Sequence, residues 1–392
     1  MVKRAAKVAE IDADEARRLF LRAQGLIGPR EREPGAMLRR LGFVQLDTIS
    51  VLARSHELVP YSRIGPIARS AIEAAYWSRP PVAFETAGLA VVFPIEEWPY
   101  LSARRRWVAG RTHPRRKPDR DAMEAVRALI RERGPITSED LGGARAKTPA
   151  SKNIWWHWSP LKIAVERLLA LGEVACVERR GWRRVYDLAD EVIPKRLRRD
   201  IDDETCRRHW LTKAGERLGV GTVRDLHEYF GGMPLAEARE TLPRTGLVPV
   251  TVRGWDAPAF ADPKALASAP RGKDRTTLLS PFDTVLRNRA RVERLFGFKV
   301  SLESYTPAAD RIHGYFAMPL LARGRLRGRV DPGRDGKTLI AKRVSVDRDA
   351  VEDMADALVE AASWVGCDAV AVEEMRPATL RASLRRAIAK RA

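Results

Sequence analysis

The order of amphipathic segments between residues 119 and 190 limits the possible folds more than any other feature of this chain. Apolar residues recur at helical spacing from 122 to 133 and again from 161 to 171. Between these segments, Thr137 and Ser138 are placed to cap a short second helix that contains Leu141. Residues 173 to 188 then read as two strands joined at a glycine turn. Three helices followed by a hairpin predict a winged helix, which is a variant of the helix-turn-helix.

Weaker copies of this order lie on either side. From 203 to 260 the pattern predicts helices at 206–218, 223–229 and 235–240 and strands at 247–252 and 257–260. The N-terminal 130 residues contain a less regular copy, with helices at 14–24 and 35–41. After residue 275, short alternating segments at 299–305, 314–319 and 325–330 predict a small antiparallel β unit, and 351–365 is helical.

We therefore predict an α+β, mostly helical fold of tandem winged-helix motifs with a C-terminal β-barrel-like unit. The predicted modules are residues 1–118, carrying the motif discussed below, 119–200, with an arginine-rich wing, 201–270, a third winged helix, and 271–392, the β-barrel-like unit with its C-terminal helix. A chain of 392 residues is long enough for this many small domains.

Positive charge is the unusual property of the composition. Lysine and arginine total 71 against 51 acidic residues, which gives a net charge of +20 and a pI near 10.4. Such an excess favours polyanionic partners, and double-stranded DNA is the partner that we predict. A membrane surface is disfavoured because the basic clusters alternate with globular modules. The clusters are Arg104, Arg105 and Arg106 with Arg111, Arg115, Arg116 and Lys117; Arg179, Arg180, Arg183 and Arg184; Lys195, Arg196, Arg198 and Arg199; and Arg323, Arg325, Arg327 and Arg329.

Other classes of protein are disfavoured by what the sequence lacks. Cys176, Cys206 and Cys367 have no metal-ligand spacing, and the six histidines form no metal motif, so we expect reduced thiols and neither a metal nor another cofactor. The basic N-terminus leads into acidic residues without the apolar segment of a signal peptide, and no stretch has the length of a membrane span. A cytoplasmic, monomeric protein is expected.

One short motif suggests chemistry. Gln45 and Asp47 are two residues apart inside the otherwise apolar run 41–53. In an extended backbone they would project from the same face, whereas in a helix they would lie roughly 200° apart. A carboxylate beside an amide can orient a water and balance a developing positive charge. The alternative is a strand end whose polar residues are simply hydrogen-bonded.

Several longer phrases accompany this motif. They are Val44 to His56, Tyr61 to Pro66, Phe93 to Tyr100, Leu278 to Asp283, Glu293 to Phe298, Tyr305 to Pro307 and Gly328 to Asp331. Together, over residues 15 to 385, the chain resembles the winged-helix DNA glycosylases of bacterial crosslink repair, the YcaQ-like or AlkZ/AlkX-like proteins. The resemblance implies tandem winged helices and a β-barrel-like unit around a basic concave channel for duplex DNA.

The resemblance also implies hydrolysis of the N-glycosidic bond of cationic alkylated purines, notably N7-alkylguanine and nitrogen-mustard interstrand crosslinks. One branch of the family carries Gln-x-Gln and the other Gln-x-Asp, and Gln45 with Asp47 resembles the second, broader branch. In one respect the chain departs from the family. Members usually carry an aromatic residue and a histidine after the counterpart of Phe84-Glu85, whereas Thr86 to Phe93 contains no histidine. Its loss would weaken or alter the activity if that histidine positions the lesion or a water.

The candidate site residues follow from these observations. We predict Gln45 and Asp47 as catalytic residues, Asp47 to activate water and stabilise the oxocarbenium ion and Gln45 to position the water. His56 is expected to be structural. Tyr61 and Arg63 either contact the sugar-phosphate or pack internally, and Trp155, Trp156 and Trp158 either stack on bases or pack in a core. The predicted DNA contacts are Tyr61, Arg63, Arg104, Arg105, Arg179, Arg180, Arg183, Arg184, Arg325 and Arg327.

A non-catalytic function is the alternative. Winged helices serve transcriptional regulators more often than enzymes, and fold alone does not choose between the two. In a regulator, Gln45 and Asp47 would serve only the structure.

Overall fold

A computed structural model describes residues 8–88, 90–111, 119–142, 159–268 and 271–391. The chain divides into two compact units. Unit 1 comprises residues 1–72 and 210–392, and unit 2 comprises residues 73–209. The four-module division expected from the sequence stays a prediction. Arg115, Arg116, Lys117, Trp155, Trp156 and Trp158 lie outside the described residues.

Helices, including short 3-10 turns, account for about 46% of the described residues, so the fold is mixed α+β with helix as its largest component. The α-helices are α1 Ala13–Ala23, α2 Pro34–Leu41, α3 Ser55–Ile64, α4 Arg69–Tyr76, α5 Ser102–Ala109, α6 Arg120–Arg133, α7 Pro160–Leu171, α8 Ala189–Val192, α9 Asp203–Leu218, α10 Val223–Phe230, α11 Leu235–Thr241, α12 Pro263–Leu266, α13 Arg289–Phe296, α14 Val351–Trp364 and α15 Arg381–Ala389. None of the helices in the described part of the chain is both long and apolar enough to cross a membrane.

The strands are mostly short. They are β1 Ala9–Ile11, β2 Val44–Gln45, β3 Ala83–Glu85, β4 Val91–Pro94, β5 Ile136–Thr137, β6 Val174–Arg180, β7 Arg183–Leu188, β8 Val220–Thr222, β9 Val248–Val252, β10 Ala259–Ala261, β11 Thr277–Leu278, β12 Met318–Ala322, β13 Arg325–Asp335, β14 Thr338–Val346 and β15 Ala369–Arg376.

Unit 1 contains two sheets. The first has the order β1-β9-β10-β8, with β1 parallel to β9. The second has five strands in the order β11-β12-β13-β14-β15, and only its β14–β15 pair is parallel. Helix α14 links β14 to β15 and packs on this sheet, where Met354 and Leu358 join Leu320, Val330 and Leu339 in a buried core.

Unit 2 has an antiparallel sheet in which β4, β3, β6, β7 and β5 are neighbours in that order. Helices α6 and α7 pack against it. Val126 and Ile130 of α6 and Val165 and Leu168 of α7 are buried together with Tyr186 of β7. Apolar residues at helical spacing form these two faces, as the sequence predicts.

Local sequence signals explain why several elements begin and end where they do. Thr222 caps α10 through its side chain, which accepts from the Asp225 N–H, while Asp225 accepts in return from the Thr222 N–H. Ser159 caps α7 in the same way by accepting from the Lys162 N–H. The predicted helices α1, α2, α6, α7, α9, α10, α11 and α14 and the hairpin β6–β7 are confirmed within a few residues at each end.

Three structural predictions are wrong. The C-terminal sheet is open and forms no closed barrel among the described residues, because the α14 crossover delivers β15 to the edge opposite β11. Residues 299–305 form no strand. The Glu303 side chain instead accepts a hydrogen bond from the His313 N–H in the loop that follows. Thr137 ends β5 instead of capping a helix, and 138–142 are turns held by Asp140, which accepts from the Thr137 N–H.

Candidate active site

A tight turn delivers Gln45 to its position. Helix α2 ends at Gly42, whose φ is +81°, a left-handed value that favours glycine. A Cβ at this position would lie 2.8 Å from the Phe230 ring, so the site has no room for a side chain. Strand β2 follows at once, and the Gln45 carbonyl accepts from the Ser55 hydroxyl at 2.6 Å. This bond ties β2 to the first turn of α3.

Gln45 lines a pocket of about 380 Å³ that lies entirely within unit 1. This volume falls in the range of about 300–1,000 Å³ that is typical of small-molecule sites. The pocket wall comes from the turn after α2, from α10 and from the segment that enters α13. Its lining residues are Phe43, Gln45, Glu228, Pro281, Phe282, Asp283, Thr284, Leu286, Arg287, Asn288, Arg289, Val300 and Leu302.

Asp47 is half-buried two residues beyond Gln45 and is not among the residues that line the pocket. Strand β2 ends at Gln45, so the two side chains do not share one regular strand as the sequence suggested. Asp47 Oδ1 accepts from the Ile49 N–H at 2.8 Å. Burial raises the pKa of Asp47 above its usual value, although the N–H groups of Ile49 and Thr48 oppose this shift. A carboxylate in such a setting holds a proton more readily than an exposed one.

Two arginines give the pocket its positive charge. Arg287 and Arg289 are exposed, and within the described residues neither lies within ion-pair distance of a carboxylate. The Arg287 guanidinium lies over the Phe43 ring at 5.0 Å, a cation–π arrangement. The pocket's exposed acid, Glu228, accepts from the Asn288 side chain at 2.6 Å. The net result is a polar pocket with surplus positive charge.

A buried ion pair supports the pocket wall from behind. Arg63 is 1% exposed, and its guanidinium donates to both carboxylate oxygens of Asp283, one of them at 2.8 Å. It also donates to the Gln24 carbonyl, while the Gln24 side-chain oxygen accepts from Thr284 at 2.6 Å. Asp283 in turn caps the 3-10 turn Thr284–Leu286 by accepting from the Val285 N–H. Arg63 therefore fixes the segment that carries Arg287.

This burial decides two of the open alternatives. Arg63 cannot contact DNA from the interior, and neither can Tyr61, which is 1% exposed and stacks on Trp364 with ring centroids 4.3 Å apart. The prediction that these residues contact the sugar-phosphate is wrong, and internal packing is correct. His56 is fully buried in α3, as expected of a structural histidine.

The arginines of the β6–β7 hairpin divide into two pairs. Arg179 and Arg184 face each other across the strands, and both donate to the buried carboxylate of Glu85. Arg184 also pairs with Glu166 at 2.8 Å. Burial disfavours the charge of Arg184, but the two carboxylates outweigh it and raise its pKa. These two guanidinium groups serve the structure of unit 2, so phosphate contact by Arg179 and Arg184 does not fit.

The second hairpin pair is accessible. Arg180 is 55% exposed beside Glu178, and Arg183 is 52% exposed beside Glu139. Ion pairs this exposed are weak and can exchange partners at little cost. Arg180 and Arg183 therefore remain candidates for contact with phosphate.

The remaining predicted DNA contacts lie on α5 and β13. Arg104 is exposed and donates to the Ala87 carbonyl, whereas Arg105 is half-buried with its guanidinium 4.0 Å from the Trp98 ring centre. Burial lowers the pKa of Arg105 to about 10. On β13, Arg325 pairs with Asp14 at 3.1 Å, and Arg327 pairs with Asp347 at 3.2 Å and with Asp349.

A family model described as "DNA glycosylase AlkZ-like" matches residues 38–366. The chain belongs to the AlkZ-like DNA glycosylase family. The match includes Gln45, Asp47 and every residue that lines the pocket. Among solved structures, the Streptomyces sahachiroi DNA glycosylase AlkZ is similar, with a TM-score of 0.64, 16% sequence identity, and coverage of 93% of this chain and 100% of that one. At this identity the likeness supports an AlkZ-like fold.

Sequence reasoning missed most of the pocket of this AlkZ-like chain. Arg287, Asn288 and Arg289 were not proposed, although they begin four residues after the phrase Leu278 to Asp283 that carries part of the family resemblance. A signal was present, since Asn288 is a favourable cap for α13 and accepts from the Arg291 N–H at 2.8 Å. Arg287 and Arg289 flank this cap, and arginines at the start of a helix can present their cations to a ligand.

Proposed function

We propose that this AlkZ-like protein is a monofunctional DNA glycosylase that hydrolyses the N-glycosidic bond of cationic alkylated purines. N7-alkylguanine is the proposed substrate, and the same bond cleavage would unhook interstrand crosslinks made through N7. The observation that carries the proposal is the pairing of Gln45 on the wall of a positively charged pocket with a desolvated carboxylate, Asp47, two residues away. Acids whose pKa is shifted by burial near a pocket are frequent at catalytic sites.

The reaction needs little acid catalysis. An N7-alkylated guanine already carries a positive charge, so the bond between C1′ and N9 breaks with its electron pair moving to the base, which leaves neutral. The sugar becomes an oxocarbenium-like cation. Ionised Asp47 stabilises this cation and accepts a proton from the water whose oxygen bonds to C1′. Gln45 holds that water through its side-chain oxygen. The products are the free base and an abasic site.

The surroundings of the pocket support a hydrolytic reaction. A glycosylase that also cuts the strand commonly uses an amine nucleophile to form a Schiff base. None of the described residues that line this pocket is a lysine. Water is thus the proposed nucleophile, with strand cleavage left to a later alkaline or enzymatic step.

Arginines with exposed or half-buried side chains are the proposed contacts to the DNA backbone. We retain Arg104, Arg105, Arg180, Arg183, Arg325 and Arg327 from the sequence and add Arg287 and Arg289 of the pocket. Each phosphate neutralised should add about 0.9 to the slope of log K against log salt concentration. We also propose that the protein is a monomer and that it binds duplex DNA through tandem winged helices.

A panel of damaged duplexes tests the function directly. Purified protein is incubated with duplexes containing N7-methylguanine, N3-methyladenine or a nitrogen-mustard crosslink, and free base is quantified before alkali is added. We expect release of N7-methylguanine, unhooked crosslinks, and nicks that appear only after alkali. Release of no base from any duplex, with the DNA bound but intact, would contradict catalysis and favour a DNA-binding regulator.

A further inference from the structure

A loop in unit 1 exposes large apolar side chains to solvent. Between Glu303 and Tyr315, the side chain of Tyr305 is 87% exposed, that of Ile312 is 62% exposed and that of Tyr315 is 37% exposed. Tyr305 is the most exposed large hydrophobic residue of the described chain. Its ring has no stacking or cation partner among the described residues, whereas Tyr315 is covered by the guanidinium of Arg311 at 5.0 Å. Contact between water and such an apolar ring is unfavourable in free energy, and a binding partner that covers the ring would remove this contact.

Internal hydrogen bonds hold the base of this loop in place. The buried Glu303 carboxylate accepts from the N–H groups of His313 and Gly314 and from the Ser301 hydroxyl, at 2.9, 3.2 and 3.0 Å. Burial alone would raise the pKa of Glu303, but these donors lower it, so the carboxylate is ionised at neutral pH. The tip that carries Tyr305 is therefore presented from a constrained base.

The second end of the loop is locked just as firmly. Asp331 of β13 accepts from the N–H groups of Tyr315 and Phe316 at 3.0 and 2.8 Å. Gly314 has a φ of +115°, and a Cβ there would lie 2.2 Å from Asp331 Oδ2. Only glycine fits this close approach.

A row of arginines borders the loop. Arg325, Arg327 and Arg329 alternate along β13, so their side chains project from one face at intervals of roughly 6.6–6.8 Å. With Arg376 they line a pocket of about 490 Å³, which His313 of the loop also lines. Arg329 donates to the Lys299 carbonyl and lies 4.2 Å from the Phe298 ring centre.

The charge on this row is only partly neutralised. Asp347 and Asp349 face Arg327, and Asp14 faces Arg325. For Arg329 and Arg376, no carboxylate lies within ion-pair distance in the described part of the chain. Cations at this repeat suit successive phosphates of a nucleic-acid strand, because each guanidinium can meet one phosphate group.

We propose that the loop 303–315 is a wedge that inserts Tyr305 into duplex DNA, while the arginine row of β13 and Arg376 bind the flanking phosphates. This inference rests on the proposed function for its partner, and it identifies the surface that opens the duplex. Side chains wedged between base steps partly unstack them, and phosphate contacts hold the distorted backbone.

The test uses an undamaged duplex with one 2-aminopurine, whose fluorescence rises when neighbouring bases unstack. The wild-type protein should raise this fluorescence on binding, Tyr305→Phe should keep the rise, and Tyr305→Ser should lose it. Affinity of Tyr305→Ser for the duplex should fall by roughly 10- to 100-fold, as expected for one stacked aromatic ring. Since Tyr305 is so exposed, the variant should fold normally, which circular dichroism checks.

Excision of N7-methylguanine is measured in parallel, so that the two proposals can fail separately. Equal fluorescence and affinity for wild type and Tyr305→Ser would overturn the wedge even if excision is normal. Loss of the signal in Tyr305→Ser, with no excision by wild type, would support the wedge and reject the proposed reaction. A wild-type protein that binds the duplex without any fluorescence rise would also overturn the wedge.

Discussion

In the β6–β7 hairpin the guanidinium groups of Arg179 and Arg184 share the carboxylate of Glu85, whereas Arg287 at the Gln45 pocket lies over an aromatic ring and pairs with no carboxylate of the described residues. Both regions present arginines from a rigid support. In the hairpin, Arg179 and Arg184 themselves form the support, because both belong to the ion-pair network of unit 2. In the pocket, a separate pair of Arg63 and Asp283 provides the support.

This difference separates structural cations from cations that are free to bind a ligand. A guanidinium that already faces a buried carboxylate adds little to the field felt by a phosphate, since its charge is neutralised locally. A guanidinium over an aromatic ring keeps its full charge. The pocket therefore has more capacity to attract DNA per arginine than the hairpin has, although the hairpin contains the longer run of arginines.

The largest effect is expected at the buried pair behind the pocket. Arg63→Met leaves Asp283 without its cation in the interior, so the free energy of unfolding should fall by about 3–5 kcal/mol. Arg179→Met should cost less, about 1–3 kcal/mol, because Glu85 keeps Arg184. Urea unfolding of both variants measures the difference. Equal losses would show that the two supports are equivalent and would contradict this expectation.

The pH dependence of excision should reveal the state of Asp47. A general base works only when ionised, so activity should be lost as the pH falls through its pKa, tenfold for each pH unit below it. Because burial raises this pKa, the loss should begin above the usual aspartate value of 3.8. Single-turnover rates across the acidic range locate the midpoint. A midpoint at or below 3.8 in a protein that stays folded would argue against Asp47 as the base.

A smaller effect is expected from the pocket arginine itself. Arg287→Gln should weaken duplex binding and reduce the slope of log K against log salt by about 0.9, the value for one phosphate contact. Arg179→Gln should leave that slope unchanged, because its charge is neutralised by Glu85. Titrations at several salt concentrations compare the two. An unchanged slope for Arg287→Gln, or a reduced one for Arg179→Gln, would reverse the assignment of the two regions.

Local patterns in the sequence were enough to predict eight of the α-helices and the β6–β7 hairpin. Helices α6 and α7 follow directly from apolar residues at helical spacing, and the hairpin turn at Gly181 has a φ of +52°. Such elements are specified by neighbours in the chain. The same reasoning proposed Gln45 and Asp47 as catalytic candidates, which stay a prediction, and the resemblance of the longer phrases pointed to the family that the family model then matched.

These local patterns do not predict contacts between residues that are far apart in the chain. Arg63 and Asp283 are 220 positions apart, and Glu85 meets Arg179 across 94 positions, so nothing near any of these residues signals its partner. The burial of Tyr61 against Trp364 has the same origin. The open C-terminal sheet depends on where the α14 crossover places β15, which short alternating segments do not encode.

The central claim is that Asp47 activates the water that attacks the sugar. The most direct measurement is the single-turnover release of N7-methylguanine by Asp47→Asn, with Asp187→Asn as the matched control. Asp187 is also half-buried, with a pKa raised by burial and an oxygen bonded to a backbone N–H, but it lies on β7 of unit 2, whereas Asp47 and the Gln45 pocket belong to unit 1. Asp47→Asn should release base at least about 100-fold more slowly while binding duplex DNA nearly as well, and Asp187→Asn should match wild type. Wild-type release by Asp47→Asn would contradict the claim.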